Sequence, residues 1–198
     1  MSVACASVHD AWRSRGDVGG AVHFCVVRTI LVLVAVAATL AAAADATSSR
    51  RFVSKSYSYS IVLPGGWTST PASIRWRGGP PFQDTPEVDL YDAADGRELA
   101  VAALSLPRTT TLRKWAPVYV GTALPSFCKK SRGYRVTTLG GAPALAFTGR
   151  CDVHDVNVAL TVRRGRGYTF ALASPRADSE AADSGVFEAA RRSFRFVP

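Results

Sequence analysis

The chain has 198 residues, 47% of them apolar and 20% charged, with 24 Lys and Arg against 15 Asp and Glu for a formal charge of +9. That length allows one ordinary domain with a real hydrophobic core, and the sequence contains no internal repeat. The basic residues are dispersed rather than striped, with Lys129/Lys130/Arg132 and Arg163/Arg164/Arg166 the only dense clusters, so most of the charge reads as a solvated face.

The first element in chain order is the run from Thr29 to Ala44, TILVLVAVAATLAAAA, preceded by Arg28 and followed by Asp45. It is shorter than the roughly 20 residues that cross a bilayer, and it drifts from Leu and Val to Ala. Residues 1–46 therefore read as an N-terminal extension plus a signal peptide, with small-x-small sites that place the mature start at Asp45 or Thr47. The alternative is an uncleaved anchor, a single N-terminal transmembrane helix in which Arg28 snorkels. The polar stretch from Met1 to Gly20 is unlike a signal n-region, which points to a true initiator at Val22, Val26 or Val27. No Cys ends the apolar run, so a lipid-modified terminus is not expected. Export predicts a secreted or cell-envelope protein, and it removes nucleic acid from the expected partners.

Removing the leader changes the chemical inventory. The remaining chain carries 21 Lys and Arg against 12 Asp and Glu, a single histidine, His154, and two cysteines, Cys128 and Cys151. In an oxidising compartment an isolated pair is expected as a disulfide rather than a metal half-site. Such a bridge would contribute about 3 kcal/mol in the chain-entropy picture.

Residues 47–55 read as a polar linker, and residues 56–198 as a single domain. Tyr57, Tyr59, Ile61 and Leu63 alternate with serines and predict a half-buried strand, closed by Pro64-Gly65-Gly66, after which Trp67 packs back on the sheet. Thr68 to Thr85 is a Pro/Gly-rich loop with Ile74-Arg75-Trp76 as its only apolar structure. Strands follow at 88–91 and 98–106 around an Asp95-Gly96 turn. A helix capped by Thr109 or Thr110 buries Leu112, Trp115, Tyr119 and Ala123, and Pro117 kinks or divides it. Residues 125–132 form a loop. Strands from Tyr134, from Ala142, from His154 and from Tyr168 are joined by Gly140-Gly141 and Arg164-Gly165 turns. A last helix over 179–192 buries Ala182, Val186, Ala189 and Ala190 with Phe187 at its edge, and Phe194 and Phe196 open a final strand. The fold class is α+β, one antiparallel sheet packed against helices.

The segments YSYSIVLPGGW, SLPRTTTLRKWA, Gly140-Gly141-Ala142-Pro143, Gly167-Tyr168-Thr169-Phe170 and FEAARRSFRF together resemble small exported actinobacterial proteins of the Mog1/PsbP-like fold, including LpqN-like proteins. The resemblance spans Tyr57 to Phe196 and implies an α-β-α sandwich. It also implies an accessory or partner-binding role rather than a defined chemistry, since its motifs are structural.

Catalytic signatures are absent from the residues themselves. A Ser/His/Asp mechanism would have to use His154, yet no serine lies in a nucleophile elbow, and a Cys151/His154 dyad would need a free thiol. Asp152 and Asp155 lack a third ligand at metal spacing, and no paired glycines form a phosphate loop. Neither metal nor cofactor is expected. The candidate binding residues are Trp67, Arg75, Trp76, Arg77 and Phe82, because aromatics beside arginines are what interaction hot spots use; the competing reading has the tryptophans covering a sheet end. The expected role is non-enzymatic binding or accessory work, with an extracytoplasmic hydrolase as the alternative. The partner classes are an envelope protein, an anionic wall polymer or a lipid surface.

Overall fold

The structure, a computed structural model, describes residues 48–81, 86–124, 128–130, 133–176 and 180–198, with side chains in the last helix described from Ser184 on. The signal stretch Thr29–Ala44, its cleavage sites, Phe82 and Ala182 as a core residue lie outside the described residues. The elements in order are β1 (Ser49–Ser54), β2 (Tyr59–Pro64), β3 (Thr68–Thr70), β4 (Asp89–Asp92), β5 (Glu98–Ser105), α1 (Leu112–Ala123), β6 (Lys129–Lys130), β7 (Arg135–Leu139), β8 (Ala142–Arg150), β9 (His154–Arg163), β10 (Arg166–Pro175), α2 (Glu180–Ser193) and β11 (Arg195–Phe196).

Parity along β10 explains the layering. Thr169 donates its hydroxyl proton to Tyr119 of α1 at 2.8 Å, while the next residue, Phe170, packs its ring 5.6 Å from Phe187 of α2. Successive strand residues point to opposite faces, so the two helices cover opposite sides of the sheet. A strand covered twice is buried at every position, and every residue from Gly167 to Ser174 is, Thr169 with its hydroxyl bonded to Tyr119. On the α2 side Phe170, Phe187 and Phe194 form an aromatic cluster that continues into β2 through the stacked pair Tyr59 and Phe194, 4.8 Å apart.

All pairings are antiparallel, but they form two sheets rather than the expected one. The larger runs β3-β4-β5-β10-β9-β8-β6, with β7 also on β8, and the smaller runs β1-β2-β11. The expected linker is itself a strand: β1 pairs with β2 from Ser49 opposite Pro64 to Ser54 opposite Tyr59. Its polar sequence hid this, because only Phe52 and Ser54 face inward, Phe52 edge-on to Tyr91 at 5.1 Å.

Other elements match in kind and differ in detail. The cap of α1 is Thr111, whose hydroxyl accepts the Lys114 N–H at 3.4 Å, one residue later than the sequence suggests. The helix runs through Pro117 without division. In α2 the buried face is Phe187, Ala190 and Arg191, whereas Ala189 is exposed, so the face is turned by about one residue from the expected one. Arg191 reaches the core edge because its guanidinium is spent on Glu188 and on the Thr138 carbonyl. The expected 125–132 loop contains the short edge strand β6, and Cys128 beside it is disulfide-bonded to Cys151.

Candidate binding cleft

Among its described residues the segment between β3 and β4 has almost no regular structure, yet it is held at many points. The Ser56 hydroxyl donates to the Ala72 carbonyl at 2.7 Å, and the Ala72 N–H donates to Asp89 Oδ1 at 2.8 Å. The Pro86 carbonyl accepts from both Ser73 and Ile74. Further along, the Trp76 N–H donates to the Tyr57 hydroxyl at 3.0 Å, and that hydroxyl donates to the Glu87 carbonyl. The Trp76 indole N–H closes its own turn on Gly79 at 3.0 Å. A loop without ladder bonds needs such partners for its buried backbone groups, and Tyr57 from the β1–β2 turn and Asp89 from β4 supply them.

Burial makes these phenols hard to ionise. Desolvation, reinforced by Asp89 and Glu87 and partly offset by the Trp76 N–H, pushes Tyr57 up to about 12. Tyr59 and Tyr91, whose hydroxyls meet at 2.7 Å, are also pushed up by burial. Tyr57 is thus a neutral donor and acceptor at any physiological pH.

The held loop forms one wall of a cleft of about 340 Å³, lined by Tyr57, Arg75, Trp76, Arg77, Ser105 and Arg166 among others. Ser105 and Arg166 come from the larger sheet, where they are register partners in β5 and β10. Of the sequence candidates, Arg75, Trp76 and Arg77 meet here. Trp67 does not; it is buried behind the Gly66 turn, 5% exposed, and lines no part of the cleft. Trp76 is only 4% exposed, so its ring is chiefly wall rather than platform. The arginines differ from it in being solvent-facing: the Arg77 side chain is 87% exposed, with Glu87 3.9 Å from its Nε and accepting its backbone N–H at 3.2 Å. Among the described residues Arg75 and Arg166 make no ion pair.

Sequence reasoning missed Tyr57 and Arg166 as cleft residues. Tyr57 shares the apolar parity of β2 and reads as plain core. Arg166 stands out in a basic cluster, but nothing in the sequence says that β10 pairs with β5 so as to set it opposite Ser105.

Elsewhere the chemistry is sparse. The backbone carbonyl of His154 accepts from Cys151, and its side chain has no hydrogen bond or ion pair among the described residues. No group of three His, Cys, Asp or Glu able to hold a metal ion occurs among the described residues. Among them, too, no helix is long and apolar enough to cross a membrane.

No protein-family model and no curated protein matches the sequence. Among solved structures, the chain is similar to cyanobacterial PsbP (CyanoP) from Synechocystis sp. PCC 6803, with a TM-score of 0.53 at 15% identity over 76% of this chain and 93% of that one. It is also similar to LpqN, involved in cell envelope biogenesis of Mycobacterium tuberculosis, with a TM-score of 0.46 at 11% identity over 76% and 91%. The first likeness, with the α-β-α layering, makes this a PsbP-like fold. Identities this low speak to the fold alone.

Proposed function

We propose that this protein is exported and serves the cell envelope, or the space outside it, as a non-enzymatic binding or accessory protein whose contact surface is the cleft at Arg75, Trp76 and Arg77. The observation that carries the reading is the convergence of those three residues with Arg166 on one cleft whose loop is hydrogen-bonded to the sheet rather than left free. A preorganised basic cleft favours binding, because the cost of ordering the loop is met in folding rather than at the encounter. The apolar run at Thr29–Ala44 supports export, and the Cys128–Cys151 bond suits an oxidising compartment.

Fractionation and mass spectrometry test the location. The expected product is a chain beginning at Asp45 or Thr47, in the medium or envelope fraction, with Cys128 and Cys151 crosslinked. Recovery from the cytosol with the leader attached and both thiols free overturns it. The binding role is tested by tryptophan fluorescence: solubilised envelope fractions should perturb the protein's emission and leave the Arg75→Gln/Arg77→Gln variant unchanged. Equal responses from the two, or no response from either, count against the cleft.

A further inference from the structure

A second recess of about 280 Å³ is lined by Ser58, Arg163, Arg164, Arg166, Tyr168 and Phe196, with Val197 and Pro198 beside them. It shares Arg166 with the first cleft. We propose that the two recesses are one groove, joined at Arg166, that holds a linear polyanionic glycan, a sugar chain bearing phosphodiester or carboxylate groups along its length. The proposal rests on the binding role given above and names the class of ligand.

Five arginines line the combined groove, and backbone geometry sets three of them. Arg163 and Arg166 are register partners at the end of the β9–β10 hairpin. The two-residue turn between them, Arg164 at φ 49° and Gly165 at φ 71°, is the left-handed form such hairpins favour. Arg163 is steadied with its guanidinium 4.2 Å from the centre of the Phe196 ring. None of Arg75, Arg163, Arg164 and Arg166 has an acidic partner among the described residues, and Arg77 has only the long contact to Glu87. Like charges gathered in a recess without counter-charges raise its potential and favour an anion that neutralises several at once. Planar guanidiniums match phosphate and carboxylate oxygens two at a time.

The shape and the neutral groups narrow the class. A recess suits a chain laid along it, whereas a bilayer surface meets a flat or convex face, and among the described residues Ile74 is the one large exposed apolar side chain beside the cleft arginines. Nucleobases need exposed aromatic faces for stacking; Tyr57, Trp76 and Tyr168 are each 6% exposed or less, and the partly buried Phe196 ring is already faced by the Arg163 guanidinium. Ser58 and Ser105, set among the arginines, offer hydroxyls suited to sugar hydroxyls.

The test is calorimetric titration of the mature protein with phosphomannan and with polygalacturonate, the phosphodiester and carboxylate arms, using neutral dextran, oligo(dT) and phosphatidylglycerol vesicles as comparisons. At least one of the two polyanions should bind, and the arm that binds identifies the charged group. Both Arg75→Gln/Arg77→Gln and Arg164→Gln/Arg166→Gln should weaken it about ten-fold and flatten its salt dependence. The pair Lys129→Gln/Arg150→Gln, on the far β6–β8 edge, should leave it within about two-fold, as one or two screened surface charges do. Binding to neither polyanion overturns the proposal, as does tighter binding to oligo(dT) or vesicles, or an equal loss in the far-edge variant. If only the Arg75/Arg77 variant weakens binding, the joined groove fails while the cleft's binding role stands.

Discussion

The Tyr57 hydroxyl stands between two segments of the cleft loop, accepting the Trp76 N–H at 3.0 Å and donating to the Glu87 carbonyl. One phenol from the β1–β2 turn thereby ties together two points of the loop, beside the two arginines that flank Trp76.

Removing that hydroxyl should therefore loosen the cleft more than the core. Tyr57→Phe keeps the ring packing and leaves a buried N–H and a carbonyl without their partner, a loss of about 1–3 kcal/mol in denaturant unfolding. Amide exchange at Trp76 should speed up while exchange in β10 stays slow. Unchanged protection at Trp76 would show that the loop is held by its other bonds.

The same residue gives the fold an alkaline limit. Its pKa is raised in the folded state from the ordinary 10.0 to about 12, so the unfolded chain loses that proton first. Its stabilising contribution is complete below about pH 10 and is lost as pH rises through about 12. Stability curves over that window should be shallower in Tyr57→Phe than in the parent, with Tyr59, Tyr91, Tyr119 and Tyr134, all raised by burial, supplying the remaining slope.

Acid sensitivity has a different origin, at the junction of α2 and β7. Burial alone would raise Glu188, but hydrogen bonds from Arg191 and Arg135 outweigh it and hold the carboxyl below the ordinary 4.5. A depressed acid stabilises above its unfolded value and ceases to as pH falls through the folded one. Glu188→Gln should be less stable than the parent at neutral pH, and the difference should shrink between about pH 5 and pH 3 in chemical denaturation.

Opening the Cys128–Cys151 bond should cost about 2–5 kcal/mol, measured as the shift in unfolding midpoint of a Cys128→Ser/Cys151→Ser variant. A shift below about 1 kcal/mol would mean that β6 is held to β8 by its pairing alone.

Gly167 tests the packing of α1. A Cβ there would lie 2.8 Å from Leu106 Cδ1 and from Trp115 Cζ2. Gly167→Ala should destabilise by about 1–3 kcal/mol through overpacking, with the near-ultraviolet tryptophan signal altered.

How much of this could be read beforehand follows from where the information resides. Alternation and turn residues are local, so the strands after Gly96, Gly141 and Gly165 and the Trp115/Tyr119 face of α1 were legible. Pairing between distant strands is not local. The split into two sheets depends on β11 choosing β2, and the cleft depends on Arg166 falling beside Ser105. Arg75, Trp76 and Arg77 were legible as candidates because aromatics and arginines stand out in a Pro/Gly-rich loop. Trp67 carries the same composition signal and is core, since composition does not say which way a ring turns after Gly66. The rotation of α2 was missed because Arg191, a residue expected outside, is paid for by Glu188 and Thr138 and so takes an inner position.

The small sheet carries one further consequence. β2 is flanked by β1 and β11, and Ser193 exchanges hydrogen bonds with Val62 across 131 positions of sequence. The central strand of that sheet takes a partner made long after it in chain order. While residues 193–197 remain inside a ribosome, Tyr59 and Phe170 lack the Phe194 ring that packs against them. Under the proposed export, that contact closes only once residue 194 has crossed the membrane.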